Sequence, residues 1–226
     1  MTKTCSELFQ GMDCTIIGNG NEEVAGLAFR SDEVAPGDMF FCIVGTVVDG
    51  HSFAQDAIDR GATSLVAERK VYLADATDVT EVVVSDSRKA MAYASANYYD
   101  NPSRAFSLVG ITGTNGKTTT TYLVEHIASV AGNRCGVIGT VGNKIAGVME
   151  HAERTTPESP DLQKLFARMR DAGCTVVAME VSSHALDLRR TWDTDFAVTA
   201  FTNLTQDHLD YHHTFDDYFE AKALLF

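Results

Sequence analysis

The sequence predicts an α/β fold, with a small N-terminal α/β domain at residues 1–103 followed by a second domain at residues 104–226 that has a mostly parallel sheet. Three observations support this prediction. Short apolar runs alternate with segments of helical periodicity in both halves, which favours parallel strands joined by crossover helices. The run Asn101-Pro102-Ser103 interrupts the alternation and marks the domain boundary. A glycine-rich loop directly after an apolar run in the second half indicates where an anionic ligand binds.

The composition is that of an ordinary globular protein and excludes several kinds of binding surface. The 226 residues are 45% hydrophobic and 22% charged, and the formal net charge is −13. So acidic a chain is not expected to bind nucleic acid or an anionic membrane, and it has no apolar run long enough to span a bilayer. Because the N-terminus lacks a signal segment and the five cysteines lack C-x-x-C spacing, we expect a monomeric, cytoplasmic protein with free, buried thiols.

Apolar periodicity places the elements of the first domain. The predicted strands cover residues 38–44, 64–67 and 81–84, and the predicted helices cover residues 53–60 and 88–99. Gly61 ends the first of these helices. Asp86 or Ser87 is available to cap the second helix.

The second domain contains longer helices. One is predicted from Thr118 to about Ala131, and its Leu123, Val124, Ile127 and Ala128 lie on one face. A second helix begins at Ser159 and is ended by Gly173, and the last helix is capped by Thr214. The predicted strands of this domain cover residues 136–138, 175–181 and 196–202.

The segment at 110–122, GITGTNGKTTTTY, has the composition of a phosphate-binding loop. Glycines let backbone N–H groups converge, the following helix adds its positive end, and Lys117 adds a full charge. The spacing is one residue shorter than the usual Walker pattern, so we interpret the segment as a shortened P-loop. Gly113 and Gly116 are expected to shape the loop, Lys117 to reach the outer phosphates, and Thr118 to offer a hydroxyl to Mg²⁺. The alternative is an ordinary strand-to-helix turn with a solvated lysine.

Two more strand ends in this domain carry polar residues, and ligands bind at the carboxyl ends of parallel strands. Glu180 ends one apolar run, where an ATP-bound Mg²⁺ would need an oxygen ligand. Asn203, Asp207 and His208 follow another; Asn203 or Asp207 could orient a nucleotide, and His208 could bind metal or contact phosphate. The alternatives are a capping or surface carboxylate for Glu180 and a purely structural histidine for His208.

Lys222 shares the apolar face of the last predicted helix with Tyr218, Phe219, Leu225 and Phe226. We therefore expect its side chain to point inward, with snorkelling toward solvent as the alternative. Burial lowers the pKa of a lysine from its ordinary value of about 10.4 and so increases the neutral amine. Nucleophilic chemistry, or reaction with carbon dioxide to a carbamate, would then be accessible.

Several segments together resemble the motifs of the Mur ligase family. They are GTNGKTT at 113–119, TTPE at 155–158, MEVSSHAL at 179–186 with Arg190, NLTQDHLDYH at 203–212 and YFEAKALLF at 218–226. In the first domain, SDEVAPGDMFFCIVG at 31–45 and DGHSFAQDAIDRGATSLVAE at 49–68 are similar to the uridine-binding domain of the family. The resemblance covers nearly the whole chain from about Ala28, and it is strongest to members that add the third amino acid of the muramoyl peptide.

This resemblance implies a reaction. Members of the family use ATP to phosphorylate the carboxylate of a UDP-linked muramoyl peptide, and an incoming amine then attacks the acyl phosphate. For this chain the implied activity is that of an ATP-dependent ligase in peptidoglycan precursor synthesis, with ATP and Mg²⁺ as cofactors. The implied partners are UDP-N-acetylmuramoyl-L-alanyl-D-glutamate and an amino acid that these motifs do not specify.

The resemblance also implies roles for individual residues. Lys117 and a carbamylated Lys222 would be catalytic. The implied ATP-binding residues are Gly113, Thr114, Asn115, Gly116, Lys117, Thr118, Thr119, Asn203 and Asp207. The implied metal ligands are Thr118, Glu180, His208 and Lys222 as its carbamate. The implied contacts to the UDP-sugar substrate are Ser31, His51, Thr155, Thr156, Ser182 and Arg190.

Two features depart from the family pattern. Relatives commonly have Asp-Ser-Arg where this chain has Arg30-Ser31-Asp32, so the serine is retained and its charged neighbours are exchanged. The chain also ends at Phe226, inside the central domain of the family, so we expect nucleotide binding without competent ligation. Two alternatives are a non-catalytic module that binds UDP-muramoyl peptide or ATP, and another ligase of the superfamily such as a folylpolyglutamate synthetase.

Overall fold

The computed structural model describes residues 2–45, 48–72 and 78–226. The chain divides into two compact units, Met1–Tyr98 and Tyr99–Phe226, slightly before the boundary predicted after Ser103. Phe106 packs against Phe166 at a ring-centroid distance of 5.7 Å, in the core of the second unit.

The first unit contains seven strands and three helices in its described part. The strands are β1 (Lys3–Thr4), β2 (Thr15–Ile17), β3 (Glu23–Val24), β4 (Gly26–Ala28), β5 (Asp38–Phe41), β6 (Ser64–Ala67) and β7 (Thr80–Val83). The helices are α1 (Cys5–Leu8), α2 (Ala54–Asp59) and α3 (Ser87–Tyr98), with 3₁₀ turns at Ser31–Glu33 and Gly50–Phe53. The predicted strands and helices of this domain are confirmed within a few residues. Asp86 caps α3, because its carboxylate accepts hydrogen bonds from the N–H groups of Arg88 and Lys89.

A five-stranded sheet forms the centre of this unit, in the order β2-β7-β6-β5-β4. Strands β4 to β7 are parallel, β2 is antiparallel to β7, and β1 pairs separately with β3. Successive side chains of a strand point to opposite faces, so Phe40 packs with Leu65 on one face and Phe41 with Met91 on the other. Both faces of the sheet are therefore buried, as is usual for parallel strands.

The second unit contains six strands and five helices. The strands are β8 (Ser107–Thr112), β9 (Cys135–Gly139), β10 (Gly142–Ile145), β11 (Val148–Glu150), β12 (Val176–Glu180) and β13 (Val198–Phe201). The helices are α4 (Lys117–Val130), α5 (Ser159–Asp171), α6 (Ser183–Asp187), α7 (Leu209–His212) and α8 (Phe215–Ala223), and a 3₁₀ turn spans Pro102–Ala105.

These six strands form one sheet in the order β11-β10-β9-β12-β8-β13. Strands β9, β12, β8 and β13 are parallel, which confirms the predicted parallel sheet. The antiparallel hairpin β10–β11 was not predicted, because its sequence GNKI lacks an apolar run. The carboxyl ends of the four parallel strands consequently meet at one edge.

One prediction about α4 is wrong. Leu123 and Ile127 are 54% and 67% exposed, although the pattern placed them on an apolar face. Thr121 and Glu125 are the buried residues of this helix. Glu125 is stabilised there by an ion pair of 2.9 Å with Lys144, so a polar pair takes the place of the expected apolar contact.

All five cysteines are free, and Cys5, Cys42, Cys135 and Cys174 are buried as predicted, whereas Cys14 is only half-buried. Burial raises the pKa of the Cys5 and Cys42 thiols to about 12, which keeps them protonated. Across the described ranges, none of the helices combines the length and the apolar character that crossing a bilayer requires.

Candidate phosphate-binding and carboxylate site

The loop between β8 and α4 has the backbone that a phosphate site requires. Gly113 and Gly116 have φ of +136° and +85°, in the region that favours glycine. A Cβ atom on Gly113 would overlap the hydroxyl of Thr202, so the close approach also excludes a side chain there. Helix α4 begins at Lys117 without a side-chain cap. Its first N–H groups therefore remain available to an anion.

Lys117 lies inside this loop. Its Nζ donates hydrogen bonds to the carbonyl oxygens of Gly113 and Thr114, at 2.8 and 3.0 Å. Burial lowers the pKa of Lys117, while the nearby charges of Glu180 and Asp207 oppose that shift. A phosphate ligand would replace carbonyl oxygens with a stronger acceptor for this ammonium.

The structure places Glu180 directly opposite the start of α4. Thr118 donates its hydroxyl hydrogen to Glu180 Oε2 at 2.9 Å, so these two predicted residues are brought together. Thr140 contributes its N–H to Oε1 at 2.9 Å and its hydroxyl to Oε2 at 3.2 Å. Gly139 is required beside them, because a Cβ atom at that position would overlap Oε1 of Glu180.

Thr140 was missed in the sequence. It follows β9 directly, and β9 is the neighbour of β12, which carries Glu180. The available signal was a polar residue directly after an apolar run. That signal is common, and only the order of the strands shows that Thr140 lies beside Glu180.

This donor set fits a hard divalent cation. Glu180 is 1% exposed, and its carboxylate accepts hydrogen bonds from three neutral donors on Thr118 and Thr140. The nearby charge of Lys117 offsets part of the cost of burying this carboxylate, and carboxylate and hydroxyl oxygens are ligands that Mg²⁺ prefers. Among the residues that the structure describes, no group of three or more His, Cys, Asp or Glu side chains is arranged to hold a metal ion.

Lys222 points inward, as predicted. It is 1% exposed, and its Nζ donates to the carbonyl oxygen of Gly113 at 3.0 Å, the same oxygen that Lys117 contacts. The Tyr218 ring lies 4.4 Å from this ammonium. Burial first, and then the charge of Lys117, lowers the pKa of Lys222 to about 8. Helix α8 holds this position and begins at its predicted cap, Thr214.

His208 lies in a group of aromatic rings. It adopts a left-handed backbone conformation with φ of 53°, and its ring centroid lies 4.8 Å from that of His184 and 6.2 Å from that of Tyr218. Asp207 accepts a hydrogen bond from the N–H of His208 at 2.9 Å. His184 was not predicted from the sequence as a site residue, and its pKa is lowered chiefly by burial and then by the charge of His208.

Four of the residues with an implied substrate role, namely Thr155, Thr156, Ser182 and Arg190, lie near the carboxyl end of β12. Arg190 donates to the carbonyl oxygen of Thr156 at 3.0 Å and forms an ion pair with Glu158 at 2.9 Å. The Thr156 hydroxyl donates to the Glu180 carbonyl oxygen at 2.9 Å and accepts from the N–H of Ser182 at 3.1 Å. Much of the hydrogen-bonding capacity of Thr156 and Arg190 therefore holds this edge together.

Two more of these residues lie nearby and are more accessible. The hydroxyls of Thr155 and Thr140 are 3.0 Å apart, which links the 155–158 segment to the Glu180 group. Ser182 caps α6, because its hydroxyl accepts a hydrogen bond from the N–H of Ala185.

In the first unit, His51 is engaged on both ring nitrogens. Its Nδ1 lies 2.6 Å from Oδ1 of Asp49, and its Nε2 accepts a hydrogen bond from the N–H of Glu68 at 3.0 Å. This arrangement requires the proton on Nδ1, and the His51 residue is 8% exposed. Hydrogen bonds from Arg69 and then His51 lower the pKa of Asp49.

The exchanged charges around Ser31 pair with each other. Arg30 donates to both carboxylate oxygens of Asp32, at 3.2 and 2.9 Å. The hydroxyl of Ser31 contacts Asp56 and, as the first cause, lowers the pKa of that carboxyl group. The reversed order of charges therefore still yields a local ion pair around the retained serine.

Both units of the chain match known protein-family models. The model of the Mur ligase middle domain matches residues 111–226, and the model described as Mur ligase family, catalytic domain, matches residues 23–111. The chain belongs to the Mur ligase family. The two matched ranges together cover both units. They begin at residue 23, close to Ala28, where the resemblance of the motifs begins.

Curated relatives carry the name UDP-N-acetylmuramoyl-L-alanyl-D-glutamate–2,6-diaminopimelate ligase. The protein from Geobacillus thermodenitrificans is 50% identical over 207 residues, which is 92% of this chain and 42% of the relative. The protein from Halalkalibacterium halodurans is 46% identical over 226 residues, which is 100% of this chain and 46% of the relative. The chain thus spans under half the length of the curated relatives it matches.

Solved structures show the same fold. A ligase with that name has a TM-score of 0.82 and 28% identity, and the match covers 100% of this chain and 45% of that structure. The MurF ligase of Thermotoga maritima, solved in complex with ADP, has a TM-score of 0.56 and 22% identity, with 88% of this chain and 42% of that structure covered.

Proposed function

We propose that this chain carries the ATP-binding site and the UDP-sugar contacts of an amide ligase that extends UDP-N-acetylmuramoyl-L-alanyl-D-glutamate. The observation that supports this best is the uncapped start of α4, with Lys117 inside the loop and Thr118 bonded to the buried Glu180. The relatives are named for 2,6-diaminopimelate, and we propose the same amino acid for the whole protein.

The residues of the loop would bind and orient the phosphates of ATP. The free N–H groups at the start of α4 face the anion, and Lys117 exchanges its two carbonyl acceptors for phosphate oxygens. Mg²⁺, when bound, would neutralise charge on the transferring phosphoryl group. Thr118 and Glu180 would hold that ion through oxygen atoms, and His208 would be a further ligand after its ring moves from the group around His184.

We also propose contacts to the UDP-sugar substrate. Thr155, Thr156, Ser182 and Arg190 are the proposed UDP-sugar contacts of the second unit, at the carboxyl end of β12. Ser31 and His51 are separate candidates for UDP recognition within the first unit. Because both ring nitrogens of His51 are engaged, its contribution would be to hold the Asp49 and Glu68 segments in place.

Lys222 is proposed to form a carbamate. Its lowered pKa of about 8 supplies neutral amine near physiological pH, and the carbamate would convert a buried cation into an oxygen ligand. The carbonyl carbon of a carbamate can be observed by ¹³C NMR in ¹³C-bicarbonate. We expect a protein-bound carbamate signal that is absent in Lys222→Met, and its absence from the wild-type chain would exclude this role.

The nucleotide assignment is tested by calorimetric titration of MgATP into the purified chain. Lys117→Ala should abolish measurable binding, since it removes the positive charge in the loop. Lys164→Ala, which removes an exposed lysine on α5, is the matched control and should bind like the wild type. Equal affinity in Lys117→Ala and Lys164→Ala would contradict the assignment.

A further inference from the structure

The segment that follows β13 is bonded closely to the tip of the phosphate-binding loop. The backbone oxygen of Asn203 accepts a hydrogen bond from the N–H of Thr114 at 2.9 Å. The hydroxyl of Thr114 lies 3.1 Å from the carbonyl oxygen of Thr205 and accepts from the N–H of Thr205 at 3.0 Å. The loop is therefore held by a second strand end as well as by its own glycines.

The side chain of Asn203 grips one loop residue with both of its polar atoms. Its Oδ1 accepts from the N–H of Asn115 at 3.0 Å, and its Nδ2 donates to the carbonyl oxygen of Asn115 at 3.0 Å. The hydroxyl of Thr202 donates to the same carbonyl oxygen at 2.7 Å. The side-chain amide of Asn203 therefore forms a pair of complementary hydrogen bonds with the backbone N–H and C=O of Asn115.

We propose that Asn203 is a positioning residue that fixes the phosphate-binding loop, and that it does not itself contact the nucleotide. This inference rests on the proposed function, because it assigns Asn203 a role in the same site. The two hydrogen bonds to Asn115 already use one donor and one acceptor site of the amide, so a contact to base or ribose would have only its second Nδ2 hydrogen and the second lone pair of Oδ1.

The hydrogen bonds from Asn203 and Thr202 to the carbonyl oxygen of Asn115 also set the direction of the next backbone N–H. The peptide bond between Asn115 and Gly116 is trans, so its C=O and N–H point in opposite directions. Because Asn203 and Thr202 hold the C=O on their side, the N–H of Gly116 points away from them. Gly116 also precedes the uncapped first turn of α4, so this N–H is added to the donors that face an anion.

A fixed orientation matters because the loop contains two glycines. Gly113 and Gly116 both have positive φ, and glycine loses more conformational freedom on ordering than other residues. When the free protein already holds the loop in place, less of that entropy is lost on binding, which strengthens affinity.

Titration with two ligands separates positioning from direct contact. Asn203→Ala should weaken binding of MgATP and of inorganic tripolyphosphate alike, each on the order of tenfold, since both bind through phosphates. Gln206→Ala removes an exposed amide from the same segment and should leave both affinities unchanged. Weaker MgATP binding with unchanged tripolyphosphate binding would overturn the proposal in favour of direct contact, and unchanged affinity for both would overturn it altogether.

Amide hydrogen exchange gives a readout that does not depend on ligand. In Asn203→Ala the N–H of Asn115 should exchange faster, while the N–H of Thr114 stays protected because it binds the backbone of Asn203. Asn203→Asp keeps an acceptor oxygen and should restore protection of Asn115. Equal exchange rates of the Asn115 N–H in the wild type, Asn203→Ala and Asn203→Asp would show that the Asn203 side chain does not hold Asn115. If the wild-type chain binds neither MgATP nor tripolyphosphate, the proposed function fails. If the wild type binds both and Asn203→Ala binds them equally well, only the role of Asn203 fails.

Discussion

Glu180 is the residue on which the candidate site depends most. It ends β12 in the middle of the sheet, is almost fully buried, and accepts hydrogen bonds from Thr118 and Thr140. Glu180 ends β12, Thr140 follows β9 directly, and Thr118 lies on the helix after β8, so the parallel sheet is what brings these three residues together. Glu180 was predicted from its place at a strand end and Thr118 from the glycine-rich loop, but Thr140 became visible only with the strand order.

Glu180→Gln should separate the charge of this residue from its shape. The amide can keep hydrogen bonds to the neighbouring hydroxyls, but it removes the charge that would attract Mg²⁺. We expect a folded protein in which Mg²⁺ no longer strengthens ATP binding, as measured by titrations with Mg²⁺ and with EDTA. If Mg²⁺ improves the affinity of this variant as much as that of the wild type, Glu180 is not a metal ligand.

The lowered pKa of Lys222 makes the free energy of unfolding depend on pH. Its pKa in the folded protein, about 8, is below its ordinary value of 10.5, so the unfolded chain binds more protons between these values. The free energy of unfolding should therefore rise with pH through this window, and the cost of burying the ammonium should be fully present below pH 8.

Lys222→Met removes that cost. In buffer free of carbon dioxide, the variant should be more stable than the wild type at pH 7, and the difference should shrink toward pH 10.5. Urea denaturation at a series of pH values measures both quantities, with Lys164→Met as the control for an exposed lysine. A difference that stays constant with pH would show that Lys222 keeps an ordinary pKa.

At the scale of elements, α4 shows where periodicity misleads. Leu123 and Ile127 satisfy the apolar spacing, yet Thr121 and Glu125 are the buried residues because Lys144 on β10 supplies a partner for Glu125. A helical pattern identifies a helix, but a polar pair between elements can decide which face packs. The hairpin that carries Lys144 was itself invisible in the sequence.

The orientation of α4 predicts unequal costs for two core-like residues. Ile127→Ala should change the free energy of unfolding by less than roughly 0.5 kcal/mol, because the side chain is 67% exposed. Leu162→Ala on α5, where the side chain is 0% exposed, should cost about 2–5 kcal/mol. Urea denaturation of both variants tests this, and a loss above 2 kcal/mol for Ile127→Ala would mean that α4 packs through its apolar stripe.

On the scale of the whole molecule, each unit has its own sheet and its own hydrophobic core. The loop, Glu180 and Lys222 all belong to Tyr99–Phe226. A ligand at this site should therefore stabilise that unit by mass action.

MgATP at 100 times its dissociation constant should raise the free energy of opening of the Tyr99–Phe226 core by about 2.7 kcal/mol. Hydrogen exchange of the amides in β8 and β12 measures this increase, and Lys117→Ala should show none. Exchange rates in these strands that do not respond to MgATP would contradict a nucleotide site here.

The sequence by itself determined the α/β class, strands β5 to β7, the parallel strands of the second unit, the longer helices, the loop at 110–122 and the inward side of Lys222. Each of these follows from local rules, because glycine placement and apolar spacing act within a few residues. The tertiary structure decided that Thr140 joins Glu180, that Lys117 and Lys222 share the Gly113 carbonyl oxygen, and that Asn203 holds Asn115. These contacts join residues far apart in the chain, and only the order of the strands in the sheet brings them within hydrogen-bonding distance.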